Sequence, residues 1–420
     1  MKIWFINHYA LPPSLPGGTR HHSLSRELIE RGHEVTVFSS NFSYLTHSEI
    51  VSLDGQNTRR EIVESVPFQW ISTPAYKGNT LGRLWNMISF GKSVQRVGLQ
   101  LVRSGELPKP DVIIGSNPQL FAVQGAEKLA RRLGVPFVFE VRDLWPQSLI
   151  DLGNMTRAHP MVWVMERMER YLNRKAIKVI SLLQGATEHM VMKDADREKI
   201  VYLPNGVDMR MVPDPQRPKD SEEFTVMYAG AHGVANGLET IIDAAKILQE
   251  KSDGAKIRFR LVGGGPQKPK LIARAQEHGL TNLRFEDPVP KNEVHATLQQ
   301  ADAFLFTLQD SPVFQWGISP NKLFDYFSLA RPIVFSLSIP NNPVADNNAG
   351  ITVPPENPQA MADAILKLSR MTPEERWEMG MRGRRYVEEN HDFRRLAEKL
   401  EAVLEEVRHE SADRMVTTSR

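Results

Sequence analysis

The sequence predicts an α/β protein built from two doubly wound domains, each a parallel sheet wrapped by helices. Short β-branched or aromatic runs alternate with longer amphipathic segments over nearly the whole chain, which is the pattern of βαβ units. That pattern stops and restarts after residue 221. Between the two series lies Asn205–Glu223, where Pro213, Pro215 and Pro218 sit among charges and read as an inter-domain linker. A length of 420 residues allows two or three domains at roughly 100–200 residues each, and the restart makes it two.

The chain opens on Met1-Lys2-Ile3-Trp4-Phe5-Ile6-Asn7, with one cation and a short apolar run. Polar Asn7 and His8 follow with no small-residue cleavage site, so this reads as a buried strand rather than a secretion signal. Further strands are expected at Glu34–Ser40, Phe68–Thr73, Asp111–Ser116, Pro136–Val141, Lys178–Leu183 and Val201–Leu203. Thr19–Arg31 is a helix, with Leu24, Leu28 and Ile29 on one face and Gly32 as its stop. In the second half, strands are expected at Phe224–Ala229, Ile257–Val262, Leu283–Phe285, Ala303–Leu308, Pro332–Ser336 and Ile351–Val353. Helices begin near Leu238, Pro266, Lys291, Asn321 and Pro358, the last with Asn357 as cap and proline first. The domains are thus 1–204 and 224–390, joined by 205–223; a charged helix spans 391–410, and 411–420 is a polar tail expected to be disordered.

Composition narrows the function. Lys plus Arg total 52 against 50 Asp plus Glu, so no overall field favours nucleic acid and an anionic partner must meet a local patch. The absence of cysteine removes disulfides, thiolate metal sites and cysteine nucleophiles, and suits a reducing compartment. No window approaches about 18 uninterrupted apolar residues, so no transmembrane helix is expected and a cytoplasmic location is the default.

Ligands on doubly wound sheets sit beyond the carboxyl ends of the strands, which directs attention to strand–helix turns and to a cleft between the domains. The first turn carries Gly17-Gly18-Thr19 ahead of a helix, where backbone N–H groups could approach a phosphate or sugar oxygen; the alternative is a plain Pro/Gly loop. Gly263-Gly264-Gly265-Pro266 and Gly230-Ala231-His232-Gly233 also follow strands, but neither matches a dinucleotide fingerprint, and there is no P-loop. The most informative stretch is Gly317-Ile318-Ser319-Pro320-Asn321-Lys322-Leu323-Phe324-Asp325-Tyr326. A helix start with Lys322 in its first turn suits a diphosphate, and Asp325 can accept from a ribose; an ordinary cap with a solvated Lys–Asp pair competes.

With these residues in view, the sequence resembles the GT-B retaining glycosyltransferases of family 4, particularly bacterial enzymes of surface-polysaccharide synthesis of the L-fucosamine-transferase kind. The resemblance spans about residues 1–400 and rests on Gly17-Gly18, Gly32-His33-Glu34-Val35-Thr36-Val37, Asp143-Leu144-Trp145-Pro146, Pro204-Asn205-Gly206-Val207-Asp208, Leu261-Val262-Gly263-Gly264-Gly265-Pro266 and Ser319–Tyr326. It implies two Rossmann-like domains facing across a cleft, with the C-terminal helix crossing back to the first. It also implies a UDP-sugar donor, an N-acetylated amino sugar to be moved, and a lipid-linked or polysaccharide acceptor such as a polyprenyl-diphosphate-linked glycan. No cofactor and no obligatory metal are implied.

Residue by residue, the resemblance assigns donor contacts to Gly17, Gly18, His232, Asn236, Gly317, Ile318, Ser319, Asn321, Lys322, Leu323 and Asp325. Acceptor contacts are expected from Thr19, His21, Arg142 and Trp145; Asp143 or Glu140, at the end of the fifth strand and hence at the cleft, is the candidate to orient the acceptor, and Lys322 would act where charge develops on the leaving diphosphate. For Glu140 an ion pair with Arg142 competes, and for Asp143 a helix cap. The sequence also departs from the family. The first acid of its Glu-x7-Glu pair falls on Gly317, its Arg and Lys after the first donor-domain strand fall near Ala231 and Asn236, and a common His is Arg142. Diphosphate neutralisation then rests on Lys322, helix-start N–H groups and His232.

Tyr76–Gly105 holds Lys77, Arg83, Lys92, Arg96 and Arg103 with no acid, interleaved with Leu84, Trp85, Met87, Ile88 and Phe90. It reads either as a segment lying on the inner-membrane surface or as a core-facing helix with a basic rim. His8, His21 and His22 lack carboxylates at metal-ligand spacing, and Met161, Met165 and Met168 read as core. Two other functions fit the same architecture: a UDP-sugar 2-epimerase, and a sugar-binding protein that has lost catalysis.

Overall fold

The computed structural model describes residues 1–15, 17–44, 46–78, 81–153, 155–217 and 221–418, and for 291–292 and 413–418 the backbone alone. Pro218 of the expected linker lies outside the described residues. The chain divides into two compact units: Met1–Pro13, Gly17–Pro204 and the segment from Phe393 form one, and Asn205–Asp392 the other.

The first unit contains strands β1 (Lys2–Ile6), β2 (Glu34–Ser40), β3 (Phe42–Ser43), β4 (Ser48–Glu49), β5 (Thr58–Val63), β6 (Val66–Ile71), β7 (Val112–Ser116), β8 (Phe137–Val141), β9 (Lys178–Ser181) and β10 (Ile200–Tyr202). Among the described residues the main sheet has eight strands in the order β10-β9-β8-β7-β1-β2-β6-β5. Only β5 runs antiparallel to its neighbour, and β3 pairs with β4 as a separate hairpin. A parallel sheet covered on both faces buries its central side chains, which is why Ile3–Ile6 of β1 and Val112–Ile114 of β7 are unbroken apolar runs and Ile3, Phe5, Ile6, Ile113 and Ile114 are fully buried. The chain leaves β1 and β7 towards opposite sides, so the ends of these two strands form the switch point. There the Asn7 amide donates to the carbonyls of Ser116 and Asn117 at 3.3 and 3.2 Å.

Strand β5 is absent from the sequence expectation. It is an edge strand, largely solvent-facing, with Arg59, Arg60 and Glu61 where a central strand would be apolar. The basic segment forms the helix Leu81–Arg103, which turns Met87, Phe90, Val94, Val97 and Leu101 inward and keeps a basic rim. Met165 and Met168 are buried, as their helical spacing suggests.

The second unit contains β11 (Phe224–Ala229), β12 (Ile257–Val262), β13 (Leu283–Glu286), β14 (Ala303–Thr307), β15 (Ile333–Ser336) and β16 (Gly350–Val353). They lie in the order β13-β12-β11-β14-β15-β16, all parallel. Counted from β11, this is the 3-2-1-4-5-6 order of dinucleotide-type sheets, with its switch point between β11 and β14. Asn357 caps the helix Pro358–Arg370 by accepting from the Ala360 N–H at 2.9 Å.

Two boundaries differ from the sequence reading. The expected linker does not start free of structure: Val207 and Val212 pack into the second unit's core, and the Val207 N–H donates to the His391 carbonyl at 2.9 Å. The terminal helix spans Phe393–Thr418 rather than 391–410, so it takes in most of the tail expected to be disordered. Its apolar stripe explains why it forms: Phe393, Leu396, Leu400, Leu404 and Val407 join Leu24 and Leu28 in the first unit's core. Arg31 and His33 fasten the same helix through Glu401, at 2.7 and 2.8 Å.

Candidate functional site

In the second unit, the helix Asn321–Ser328 begins beside the end of β11. Tyr326 holds it there, its hydroxyl accepting from the Ala229 N–H at 2.7 Å and donating to the Ala229 carbonyl at 3.1 Å. Lys322 therefore reaches the switch point. Its ammonium donates to Oδ1 of Asn236 at 2.6 Å and to the Tyr228 hydroxyl at 3.0 Å, and lies over the rings of Tyr228 and Phe306 at 4.5 and 5.0 Å. All these neighbours are neutral. Burial pushes the Lys322 pKa down to about 7, because the charge is removed from water without a carboxylate in return.

The loops after β11 and β12 close over one another. Gly263 has φ +142°, and a Cβ there would lie 2.0 Å from the Gly230 carbonyl oxygen, so only glycine fits. The loop seats His232 with no solvent exposure, and among the described residues neither ring nitrogen finds a hydrogen-bond partner. Burial, with the charges of Lys268 and Lys322, lowers its pKa to about 4, so the imidazole is neutral near pH 7. A neutral ring beside two lysines can accept or donate a hydrogen bond, but it does not neutralise a diphosphate. That departs from the reading of His232 as a charge partner.

Of the remaining donor-side residues, Gly317 has φ +97° and ends the short turn Pro312–Trp316. The Ser319 hydroxyl accepts from the Asn205 N–H at 2.8 Å, and its carbonyl accepts from the Asn205 amide at 2.6 Å. Asn205 is therefore fixed to the residue that precedes Pro320 and the helix Asn321–Ser328. Leu323 is buried core rather than an open contact, while Ile318 and Asn321 are half-buried at the helix start. Asp325 is 6% exposed and pairs with His295 at 3.2 Å. Sequence reasoning missed His295, Tyr228 and Phe306; none sits in a motif, and only the fold brings them to this helix.

In the first unit, Glu140 is the penultimate residue of β8 and is 1% exposed. It accepts from Arg20 Nε at 2.9 Å, from Ser116 Oγ at 2.6 Å, and lies 2.9 Å from His21 Nε2. Burial alone would push its carboxyl up, but Arg20 and His21 outweigh that and hold it well below the usual carboxylate range. Arg20 also donates to the carbonyls of Leu203 and Pro204. Glu140 and His21 are thus a structural ion network rather than acceptor-facing groups, and the partner of Glu140 is Arg20 in place of the expected Arg142.

Asp143 is half-buried and accepts from Trp145 Nε1 at 3.1 Å and from Ser148 Oγ. Burial raises its pKa. Arg142 is half-buried, and its Nε meets no acceptor among the described residues. Gly17 is exposed with φ +145°, and Gly18 and Thr19 are half-buried ahead of the helix Arg20–Glu30. Asn117 ties this end of the sheet together, its amide donating to the Asp143 carbonyl at 2.7 Å and its Oδ1 accepting from the Arg142 N–H at 2.7 Å.

Two Rossmann-type units in one chain, the second with an uncompensated cation at its switch point, define the class as the GT-B architecture. The chain belongs to the GT-B glycosyltransferases of family 4. The family described as "Glycosyl transferase 4-like domain" matches residues 17–206, and that described as "Glycosyl transferases group 1" matches residues 223–371. A bacterial relative, the Escherichia coli protein that carries the name colanic acid biosynthesis glycosyl transferase WcaI, is 25% identical over 66% of this chain and 69% of its own length. Among solved structures, sucrose-phosphate synthase from Thermosynechococcus elongatus superposes with a TM-score of 0.75 at 15% identity, over 97% of this chain and 98% of that one. Anabaena HepE, solved in complex with UDP and glucose, gives a TM-score of 0.67 at 15% identity over 97% of this chain and 100% of that one. At these identities the likeness to the solved structures is one of fold.

Proposed function

We propose that this protein moves a sugar, an N-acetylated amino sugar, from a UDP-linked donor to a lipid-linked or surface-polysaccharide acceptor, with retention of anomeric configuration. The observation that carries the reading is Lys322: a half-buried ammonium at a helix start and a switch point, whose hydrogen bonds and ring contacts are all with neutral groups. As the bond between the anomeric carbon and the diphosphate oxygen breaks, negative charge grows on the leaving UDP. Lys322 and the N–H groups opening the helix Asn321–Ser328 would act where that charge develops. The leaving phosphate would take the proton of the acceptor hydroxyl, and no metal is required in this scheme. Asp143 remains the group to orient that hydroxyl.

The acceptor class rests on the names of the relatives, and HepE supports UDP through the ligand in its structure. The basic rim of the helix Leu81–Arg103 is consistent with work at the cytoplasmic face of a membrane; among the described residues no helix is long and apolar enough to cross one. The test is a thermal-shift panel of UDP-, GDP- and dTDP-sugars followed by assay of UDP release with and without acceptor. Stabilisation by a UDP-sugar and acceptor-dependent release are expected. No response to any nucleotide sugar would end the reading, and release without acceptor would favour an epimerase or hydrolase.

A further inference from the structure

Two helices of the first unit turn the same ordered surface outward. Leu81–Arg103 joins β6 to β7, and Pro160–Lys175 lies between β8 and β9. These strands are parallel through their neighbours, so both helices run back against them and begin on the side where the strands end. The helix Leu120–Leu133 packs against both. A Cβ on Gly91 would come within 2.3 Å of the Phe121 carbonyl oxygen, and one on Gly125 within 2.4 Å of the Gly91 carbonyl oxygen, so the first pair meets at backbone contact. Gln124 shares a groove with Trp163, Arg167 and Tyr171 of the other helix.

Along Leu81–Arg103 the outward residues are Leu81, Trp85, Lys92, Arg96 and Arg103. They are spaced four, seven, four and seven apart and all are exposed, which makes one helical stripe opposite the buried Phe90, Val94 and Val97. The helix has no acid. Lys92, Arg96 and Arg103 line a groove of about 570 Å³ with Arg132 of Leu120–Leu133, and no residue lining it is acidic. Among the described residues Lys92, Arg103 and Arg132 pair with no carboxylate; Glu106, past the helix end, accepts from Ser104 at 2.8 Å. Pro160–Lys175 repeats the order. Trp163 and Val164, 61% and 37% exposed, come first and Arg167 and Lys175 follow, while Arg170 and Arg174 are taken up by Asp194 at 2.7 and 2.5 Å. Each tryptophan carries a cation on its ring, Lys92 over Trp85 at 5.7 Å and Arg167 over Trp163 at 4.9 Å.

The order is one of depth. Trp85 stands four residues and Trp163 three residues into its helix, so both rings belong to the first turn or so, about 6 Å of axis, and the cations lie behind them. A protein interface sets its aromatic residues at the centre and charges around them as a rim. Here both tryptophans stand at one end and the charge lies on one side only. That arrangement suits a bilayer, with indole rings at the headgroup level and Lys and Arg against anionic phosphates.

We propose that the outward faces of Leu81–Arg103 and Pro160–Lys175 form one docking surface for an anionic phospholipid bilayer, with Trp85 and Trp163 among the headgroups and Lys92, Arg103, Arg132 and Arg167 on their phosphates. Both helices begin at the ligand-bearing side of the sheet, so the bilayer meets the unit at that end. The surface rests on the transferase reading for its purpose, since it names where a membrane carrying a lipid-linked acceptor would meet this unit; the binding itself does not depend on that reading.

The test is co-sedimentation of the full chain with vesicles of phosphatidylcholine, alone or with about one quarter phosphatidylglycerol, at about 0.1 M and about 0.5 M salt. Binding to the phosphatidylglycerol vesicles at the lower salt is expected, and at least about tenfold weaker binding at the higher salt or on phosphatidylcholine alone. Lys92→Glu, Arg103→Glu and Arg167→Glu should each weaken it about 5- to 30-fold, and Trp85→Ser and Trp163→Ser about 3- to 10-fold. All five positions are exposed, so the melting temperature should not move. No binding to phosphatidylglycerol vesicles, or equal binding to both lipids, overturns the proposal. Unchanged binding in Trp163→Ser and Arg167→Glu overturns the two-helix surface. Polyglutamate bound as tightly as the vesicles would make the occupant an acidic protein, and self-association lost in Trp85→Ser would make it a second copy; either result overturns the bilayer. UDP titration of the same samples keeps the two readings apart. Vesicle binding without any nucleotide binding ends the transferase reading and leaves the surface standing, and nucleotide binding without vesicle binding does the reverse.

Discussion

The ammonium of Lys322 lies 2.6 Å from the side-chain carbonyl oxygen of Asn236, and among the described residues no carboxylate pairs with it. A cation in this position is held by dipoles and ring faces, which orient it without cancelling its charge. The family resemblance would put a lysine near Asn236. Here Asn236 acts as a positioning acceptor instead of a second cation.

Donor binding should therefore depend on pH in a defined direction. With its pKa lowered to about 7, Lys322 is mostly charged below that value and mostly neutral above it in the free protein. A bound diphosphate favours the ammonium and raises the pKa, so binding takes up a proton above about pH 7. UDP-glucose affinity should fall as pH rises from about 7 to about 9, at a limiting slope of about tenfold per unit. Lys322→Met should bind about 10- to 100-fold more weakly at about pH 6.5 and show a flat profile. Calorimetric titration at several pH values checks this, and a flat profile in the unaltered protein would refute it.

His232 separates stability from binding. Its two buried nitrogens, unpaired among the described residues, cost desolvation energy in the free protein, so His232→Phe should raise stability by about 1 kcal/mol or leave it unchanged. The same change should weaken UDP-glucose binding several-fold, since the ring nitrogens are then missing from the ligand. Chemical denaturation and titration on one sample read both; a loss of stability with binding intact contradicts the assignment.

Glu140 should matter for folding and for acid tolerance. In Glu140→Gln the guanidinium of Arg20, which is 1% exposed, loses its counter-charge, at a cost of about 3–5 kcal/mol. The native carboxyl has a pKa well below 4.5, so its contribution is present above that value and is lost as pH falls through the folded pKa. Urea midpoints measured from about pH 7 down to about pH 3 should fall in the unaltered protein and fall less in the variant. Equal acid slopes would exclude Glu140 as a source.

The terminal helix should act as part of the first unit. Leu400, 1% exposed in that core, should cost about 2–5 kcal/mol when changed to alanine. Removing residues 393–420 should expose the Leu24 and Leu28 face and cause aggregation, measurable by light scattering. A truncated chain that stays monomeric with an unchanged melting temperature would show that the helix is dispensable.

Much of the fold was legible because parallel strands covered on both faces must be apolar throughout. Glu34–Ser40, Phe224–Ala229 and Ile257–Val262 have the bounds that their sequence suggests. The edge strand Thr58–Val63 was not legible, since one solvated side removes that signal. Nor was the tail after residue 410, whose polar sequence conceals that it continues a helix anchored further back.

The chain's local chemistry by itself determined two wound domains, glycine turns after the strands and a helix start carrying Lys322. Only the tertiary structure decided which partners those groups meet. Glu140 lies 120 positions from Arg20, and Asp325 lies 30 from His295; neither pairing leaves a periodic trace in the sequence. A side chain's charge state depends on what replaces water around it, and that is set by packing between segments far apart in the chain. The same lysine that reads as one cation in a motif is, once packed among Tyr228, Phe306 and Asn236, the one whose charge an incoming diphosphate would restore.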